Sequence, residues 1–206
     1  IYPSFVRQQI EQRVEWVAPP HSAEMVMANP AILQDAEVIF SGWGCIPFTP
    51  EILRAAPNLK AVFYGAGSIR GLVTPEFWDR GIRITSAYHA NAVAVAEFTL
   101  AQVLLSLKRF WEHAALYKGK QSYERLTVPG AYHTTVGLVS LGAVGRRVAE
   151  LLHHFELRVI AYDPFVTPQR AAELGVELCS LEEVFQQAEV VSLHTPWIPE
   201  TEGMIR

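Results

Sequence analysis

The chain has 206 residues, of which 50% are hydrophobic and 18% are charged, a composition that excludes a disordered chain. Its net charge is −4 and its basic residues do not cluster beyond the pair Arg146-Arg147, so we expect no nucleic-acid partner. The two cysteines, Cys45 and Cys179, are too few and too far apart for a disulfide framework, which favours a reducing, cytoplasmic location.

Nothing in the hydropathy pattern predicts a membrane partner. The first residues lack the basic and apolar regions of a signal peptide. The most apolar stretch, residues 92–107, is interrupted by Glu97 and three further polar residues, which argues against a membrane span. We therefore expect a soluble protein whose partners are small molecules.

Short β-branched runs alternate with helical patterns along the chain, as is typical of βαβ units and a parallel sheet. The predicted strands cover residues 14–18, 37–40, 60–64, 82–85, 135–140, 158–162, 176–179 and 189–194. The predicted helices cover residues 4–12, 51–56, 75–80, 144–155, 168–174 and 181–187. This order predicts an α/β protein built on parallel sheets.

The longest helical pattern runs from about residue 91 to residue 117, with apolar residues three or four apart. A new strand–glycine–helix unit follows the turn-rich stretch 118–132, so we expect this helix to join two domains. The predicted domains are 1–95 and 96–206. Both are expected to be incomplete, because the chain opens in a helical pattern where a parallel sheet usually opens with a strand, and it stops in a loop.

The strongest chemical signal follows the predicted strand 135–140. Ser140, Gly142 and Gly145 have the spacing of the dinucleotide fingerprint G-x-G-x-x-G, with serine in place of the first glycine. Gly142 has no Cβ, so the backbone there can approach a pyrophosphate, and Gly145 lets the helix pack close to the strand. The amides of Ala143 and Val144 would lie at the positive end of the helix and face that anion. Serine at the tight turn makes the fingerprint weak on its own.

The ends of the next strands strengthen this interpretation. Asp163 follows the strand 158–162, where the fingerprint requires a carboxylate for the ribose hydroxyls, although an Asp-Pro pair can also simply form a turn. A carboxylate there would repel a 2′-phosphate, so we predict NAD rather than NADP. His194 and Thr195 end the third strand on the same edge, where ligands bind, although a structural role explains them slightly better from the residues alone.

Five segments in the same order resemble the D-isomer-specific 2-hydroxyacid dehydrogenases, the family that includes phosphoglycerate dehydrogenase and hydroxypyruvate reductase. They are PNLKAV with GAG at 57–67, NAVAVAE at 91–97, VGLVSLGAVG at 136–145, YDP at 162–164 and LHTPWIPET at 193–201. The resemblance implies two Rossmann-like or flavodoxin-like parallel-sheet domains joined by a long interdomain helix. It also implies NAD as the cofactor, a small 2-hydroxy or 2-oxo acid as the substrate, and a homodimer.

Carried over residue by residue, the resemblance implies a substrate site and a cofactor site. The backbone of Gly65, Ala66 and Gly67 would bind the substrate carboxylate. The residues implied to hold the cofactor are Ser140, Gly142, Ala143, Val144, Gly145, Asp163, His194 and Thr195. The family's acid/base histidine, its orienting carboxylate and its substrate arginine come later in the chain, so we predict no catalytic residue here and expect this chain alone to be inactive.

The implied reaction is hydride transfer between a D-2-hydroxy acid and nicotinamide, which gives a 2-oxo acid. A non-catalytic NAD-sensing protein, such as the corepressors that share this fold, stays open as an alternative. A domain for another adenosine ligand, such as S-adenosylmethionine, also stays open, although the turn at Gly142 and Gly145 fits a pyrophosphate better. The seven histidines show no zinc-ligand spacing, so no metal site is predicted.

Overall fold

Two parallel sheets organise the chain, one in each of the units Ile1–Asn91 and Ala92–Arg206. The computed structural model describes residues 2–120 and 125–205. Residues 121–124, which belong to the stretch that the sequence predicts to be rich in turns, lie outside this description. The predicted α/β class and the parallel strand arrangement are confirmed.

The first unit holds a three-stranded sheet in the order β1-β2-β3. Its elements are α1 (Ser4–Glu11), α2 (Ala23–Ala28), a 3₁₀ helix (Pro30–Leu33), β1 (Val38–Ser41), α3 (Pro50–Ala55), β2 (Ala61–Tyr64), α4 (Pro75–Asp79) and β3 (Arg83–Ser86). The helices α3 and α4 begin where Thr49 and Thr74 accept a hydrogen bond from the amide three residues later. Phe48, Ile52 and Phe77 lie fully buried in the core beneath the sheet.

The second unit holds a four-stranded sheet in the order β6-β5-β4-β7. The helix α5 (Tyr88–Leu107) begins in the first unit and continues into the second. The other elements are α6 (Phe110–Lys120), β4 (Thr135–Val139), α7 (Ala143–Leu152), β5 (Arg158–Tyr162), α8 (Pro168–Glu173), β6 (Glu177–Leu178), α9 (Leu181–Gln187) and β7 (Val190–Leu193). The chain leaves β4 toward β5 on one side and later adds β7 on the other. This reversal of strand order creates the crevice in which open α/β sheets bind their ligands.

The predicted strand at residues 14–18 is wrong, because this segment is coil in the structure. It lines a cavity of about 740 Å³ together with the open edge of β1. The segment contacts β1 through side chains, with the ring centroids of Trp16 and Phe40 6.1 Å apart, but within the described residues β1 forms its ladder with β2 alone. The alternation of apolar residues in Val14–Ala18 therefore reflects partial burial and not a sheet.

The single long helix predicted for residues 91–117 is also wrong, because the structure breaks it into α5 and α6. The break lies at Lys108 and Arg109, and Arg109 has a left-handed backbone with φ +47°. The apolar spacing continues through the break, so periodicity alone could not locate it. By length and composition α5 could also cross a membrane. Within the second unit, its residues Ala96, Val103 and Leu107 pack in the hydrophobic core.

The interior of β4 provides a test of how closely the second unit is packed. A Cβ added to Gly137 would lie 2.6 Å from Cγ1 of Val184 and 3.0 Å from Cβ of Ala188, both from the α9 region. We expect Gly137→Ala to lower the free energy of unfolding by about 1–3 kcal/mol, because α9 must move away from the sheet. Urea denaturation followed by circular dichroism measures the change.

The matched control is Gly119→Ala in α6, where an added Cβ has no described neighbour within 4 Å. That variant should gain about 0.5–1 kcal/mol, because alanine favours the helix over glycine. Equal stability of the two variants would contradict the packing of β4 against α9.

Candidate functional site

The turn between β4 and α7 is held by contacts to the end of β5. The amide of Ser140 donates to the carbonyl of Tyr162 at 2.8 Å, and the amide of Leu141 donates to Oδ2 of Asp163 at 2.7 Å. On the other side of Leu141, its carbonyl accepts a hydrogen bond from Nε of Arg146 at 2.6 Å. The turn is therefore fixed from both directions before any ligand binds.

Glycine at position 145 is required by the packing of α7 on the turn. A Cβ there would lie 2.1 Å from the carbonyl oxygen of Ser140 and 3.6 Å from Cδ2 of His194. This distance is too short for any Cβ, so only glycine at position 145 allows the helix to pack this close to the end of the strand. Gly142 lies in a different setting, because the nearest atom to an added Cβ is Oγ of Ser140 at 4.0 Å. The space in front of Gly142 is thus open to a ligand that approaches the backbone.

The N-terminus of α7 has the properties of an anion site. Gly142 is its N-cap and makes no side-chain capping hydrogen bond. The first amides of a helix lack intrahelical acceptors, and the dipole places partial positive charge beside them. The amides of Ala143 and Val144 can therefore donate to a phosphate in the open space beside Gly142.

Asp163 is placed to accept from a ligand as well as from the backbone. Its Oδ1 accepts from the amide of Phe165 at 2.9 Å, and its Oδ2 accepts from Leu141. A carboxylate has about four acceptor positions, so these two bonds leave capacity for hydroxyl donors. The sequence allowed two roles for Asp163, the formation of an Asp-Pro turn and the binding of a ligand. These roles are compatible, since one carboxylate can accept from the backbone and from a ligand.

His194 and Thr195 lie at the end of β7, on the other side of β4. The amide of His194 donates to the carbonyl of Val139 at 2.9 Å, and its ring Nε2 lies 3.1 Å from Oγ of Ser192. Burial lowers the pKa of His194 below its ordinary value of 6.5, so the ring is neutral near pH 7. The hydroxyl oxygen of Thr195 is buried and has no hydrogen-bond partner among the described residues. A buried hydroxyl in that state is ready to bind a polar ligand group.

In the first unit, the turn after β2 places the three residues expected to bind a carboxylate. The amide of Gly65 donates to the carbonyl of Ser41 at 2.8 Å. The carbonyl of Ala66 accepts from the amide of Ala87 and from Oγ of Ser86, each at 3.0 Å, and the carbonyl of Gly67 also accepts from that hydroxyl. The turn is thus anchored through its carbonyl oxygens. A Cβ on Gly67 would lie 3.3 Å from Nδ2 of Asn91, so Asn91 borders this turn.

The structure thus brings the eight predicted cofactor residues together around the carboxyl ends of β4, β5 and β7. Their features fit a dinucleotide: free helix amides beside an open glycine, a carboxylate with spare acceptor capacity, and an unpartnered buried hydroxyl. Gly65, Ala66 and Gly67 form a turn of their own in the first unit.

Sequence reasoning missed two features of the turn. The sequence shows Arg146 only as half of a basic pair, and its contact to the carbonyl of Leu141 was not predicted. An arginine in the first turn of a helix can nevertheless reach back to the preceding loop. Sequence reasoning also missed that Asp163 holds the amide of Leu141, because a fingerprint gives spacing along the chain and not contacts between strands. The left-handed backbone of Ser140, with φ +79°, confirms that this position has the conformation usually left to glycine.

Comparison with known proteins places these features in context. Residues 100–206 match the family model described as D-isomer specific 2-hydroxyacid dehydrogenase, NAD binding domain. The D-3-phosphoglycerate dehydrogenase of Mycobacterium tuberculosis is 34% identical over 194 residues, which are 93% of this chain and 36% of that protein. The chain therefore spans about a third of the length of this curated relative.

Two solved structures are similar in fold and in sequence. One is D-lactate dehydrogenase from Aquifex aeolicus complexed with NAD and lactic acid, with a TM-score of 0.68 and 26% identity over 84% of this chain and 52% of that one. The other is NAD-dependent formate dehydrogenase from Staphylococcus aureus in complex with NAD, with a TM-score of 0.67 and 25% identity over 85% of this chain and 53% of that one.

The left-handed backbone of Ser140 predicts a gain in stability when its Cβ is removed. We expect Ser140→Gly to raise the free energy of unfolding by about 1 kcal/mol, because glycine adopts φ +79° without a steric penalty. The control Ser140→Ala removes the hydroxyl and keeps the Cβ, so it should give no such gain. Urea denaturation compares the three proteins, and a gain of equal size in both variants would contradict the strain at this position.

The lowered pKa of His194 predicts a loss of stability in acid. Below about pH 6.5 the unfolded chain takes up a proton that the folded ring resists, so the free energy of unfolding falls as the pH falls. Above that range the ring is neutral in both states and the contribution is constant. We expect His194→Gln to reduce this pH dependence, because the variant lacks the proton that the unfolded chain takes up. Denaturation at a series of pH values from about 8 to about 5 measures the change.

The control for that measurement is His154→Gln, since His154 is an exposed residue near the end of α7. It should keep the pH dependence of the unmodified chain. A pH dependence that survives His194→Gln without change would contradict the burial of the neutral ring.

Proposed function

This chain belongs to the D-isomer specific 2-hydroxyacid dehydrogenase family, and from that membership we propose that the whole protein transfers hydride between a D-2-hydroxy acid and NAD. Residues 100–206 form the NAD-binding domain of the family, and NAD is its cofactor. The observation that carries the proposal is the turn between β4 and α7. There the free amides of α7, the open space at Gly142 and the carboxylate of Asp163 meet.

Each group of the turn has a role in holding the cofactor. The amides of Ala143 and Val144 bind the diphosphate, and Gly142 lets it come close to the backbone. The carboxylate of Asp163 accepts from the hydroxyls of the adenosine ribose. When bound, NAD supplies the nicotinamide ring that accepts hydride from the substrate.

Two further residues of the second unit complete the cofactor pocket. His194 lines it as a neutral ring, and the buried hydroxyl of Thr195 gains a polar partner there. Ser140 shapes the turn through its left-handed backbone and presents its hydroxyl beside Gly142. This assignment gives each buried polar group at the end of β7 a function in binding.

The turn Gly65–Gly67 is proposed to bind the carboxylate of the 2-hydroxy or 2-oxo acid. Ser86 and Ala87 occupy the carbonyl oxygens of Ala66 and Gly67, and the amide of Gly65 already donates to Ser41. The amides of Ala66 and Gly67 are therefore the donors left for an anion. Backbone amides can bind a carboxylate without adding a charge to the site. The reaction also needs a general base for the hydroxyl proton, and we assign that role to no residue of this chain.

The proposed setting is a homodimer in the cytoplasm. The helices α5 and α6 expose large apolar side chains, with Phe98 65% and Trp111 54% exposed, and exposed side chains of this kind are common where another subunit packs. Cys45 and Cys179 are free thiols, as is common in a reducing compartment, and burial raises the pKa of both, which favours the protonated form.

The discrimination between NADH and NADPH tests this function. We expect the chain to bind NADH more tightly than NADPH, because the charge of Asp163 repels a 2′-phosphate. The substitution Asp163→Asn should raise the ratio of NADPH to NADH affinity by about tenfold, since it removes the charge and retains an acceptor for Leu141. Titration of the coenzyme fluorescence measures both affinities.

Asp79→Asn, at an exposed carboxylate in α4, serves as the control and should leave the ratio unchanged. Equal and tight binding of NADPH by the unmodified chain would contradict the assignment of Asp163. For the whole protein, NADH formation with D- but not L-2-hydroxy acids is expected. Binding of NADH without turnover on any such acid would instead favour an NAD sensor.

A further inference from the structure

The side chain of Arg146 folds back over the turn that precedes its own helix. Its backbone amide donates to the carbonyl of Gly142 at 3.0 Å, and its Nε donates to the carbonyl of Leu141 at 2.6 Å. The Nε contact uses one of the five donors of the guanidinium and fixes the plane of the group. The four donors on its two Nη atoms have no hydrogen-bond partner among the described residues.

Arg146 differs from its neighbours in the second unit, which form ion pairs. Arg147 pairs with Glu150 at 2.6 Å, Arg158 with Glu177 at 2.8 Å and Arg170 with Glu173 at 2.5 Å. Arg146 forms no salt bridge within the described ranges 2–120 and 125–205.

The carboxylate of this turn is Asp163, whose two oxygens accept from the amides of Leu141 and Phe165 and form no ion pair with Arg146 in the described part of the chain. A guanidinium is charged at every physiological pH. Arg146 therefore brings to the turn a positive charge that is not directly paired with a described carboxylate.

Leu141 separates two opposite charges. Its amide is held by the carboxylate of Asp163, and its carbonyl is held by the guanidinium of Arg146. A dinucleotide has the complementary order of groups, since its ribose hydroxyls are hydrogen-bond donors and its adjacent diphosphate is an anion. A carboxylate matches the first group, and a guanidinium matches the second.

We propose that Arg146 binds the diphosphate of NAD through its Nη atoms and thereby raises the affinity for the cofactor. This inference rests on the proposed function, because it assumes that the dinucleotide binds at the turn. It adds a side-chain cation to a site whose other diphosphate ligands are backbone amides. Arg146 also keeps its Nε contact to Leu141, so binding needs no rearrangement of the turn.

A purely structural role for Arg146 would have different consequences. If its only role were to anchor Leu141, its loss would loosen the turn. The affinity for NADH would then fall by the same factor at every salt concentration. A direct charge contact with the diphosphate is weakened by salt, because counterions compete for both partners. The salt dependence of binding therefore separates the two roles.

The test compares Arg146→Gln, Arg146→Lys and the control Arg147→Gln in NADH titrations from low to high salt. Arg146→Gln should weaken NADH binding about tenfold at low salt and flatten the dependence of the dissociation constant on salt. Arg146→Lys should retain most of the salt dependence, because it keeps the charge. Arg147→Gln should bind within about twofold of the unmodified chain, since its charge is paired with Glu150.

Two results would overturn the inference. One is NADH binding by Arg146→Gln that equals binding by Arg147→Gln. The other is a loss of affinity that is the same at every salt concentration and is not restored by lysine, which would show that Arg146 only anchors the turn. Both leave the proposed function standing, whereas failure of the unmodified chain to bind NADH would contradict the proposed function and this inference together.

Discussion

The contact between Gly145 and the carbonyl of Ser140 determines the geometry of the second unit at the carboxyl ends of β4, β5 and β7. Because a Cβ at position 145 would lie 2.1 Å from that oxygen, only glycine at this position lets the first turn of α7 pack so close to Ser140. The close approach places the amides at the start of α7 directly behind the turn. It also brings Gly145 against the ring of His194 at the end of β7. One missing side chain thus sets the distance between the helix, the turn and the neighbouring strand.

The hydrogen bond from Leu141 to Asp163 links the turn to β5 in the same way. A carboxylate that holds a backbone amide has a restricted orientation, and its remaining acceptor positions are therefore aligned in advance. Such preorganisation lowers the cost of ordering the site when a ligand binds. The turn combines this fixed anion, the amides of α7 and the cation of Arg146 within a few residues of chain.

Much of this arrangement could be predicted from the sequence, for a physical reason. The strands β4, β5 and β7 are short apolar runs bounded by turn residues, and the glycines at 142 and 145 mark the turn between strand and helix. The prediction failed where long-range contacts decide the structure. Val14–Ala18 has a strand-like pattern but faces a cavity, and the helical pattern of residues 91–117 continues through the left-handed break at Arg109.

The contacts inside the site were also beyond the reach of the sequence. The spacing places Asp163 at the end of a strand, yet it does not show that Oδ2 accepts from Leu141. Likewise, the pair Arg146-Arg147 looks uniform in the sequence, while the structure turns one arginine toward the turn and pairs the other with Glu150. The roles of such residues follow from side-chain direction, which depends on the packed helix.

The most direct measurement of the central claim is the response of individual backbone amides to NADH, followed by NMR on the labelled chain. The account predicts that the amide signals of Gly142, Ala143 and Val144 shift and that their hydrogen exchange slows on binding, because these amides donate to the diphosphate. If NADH binds while these three amides keep their signals and exchange rates, the diphosphate lies elsewhere and the account is contradicted.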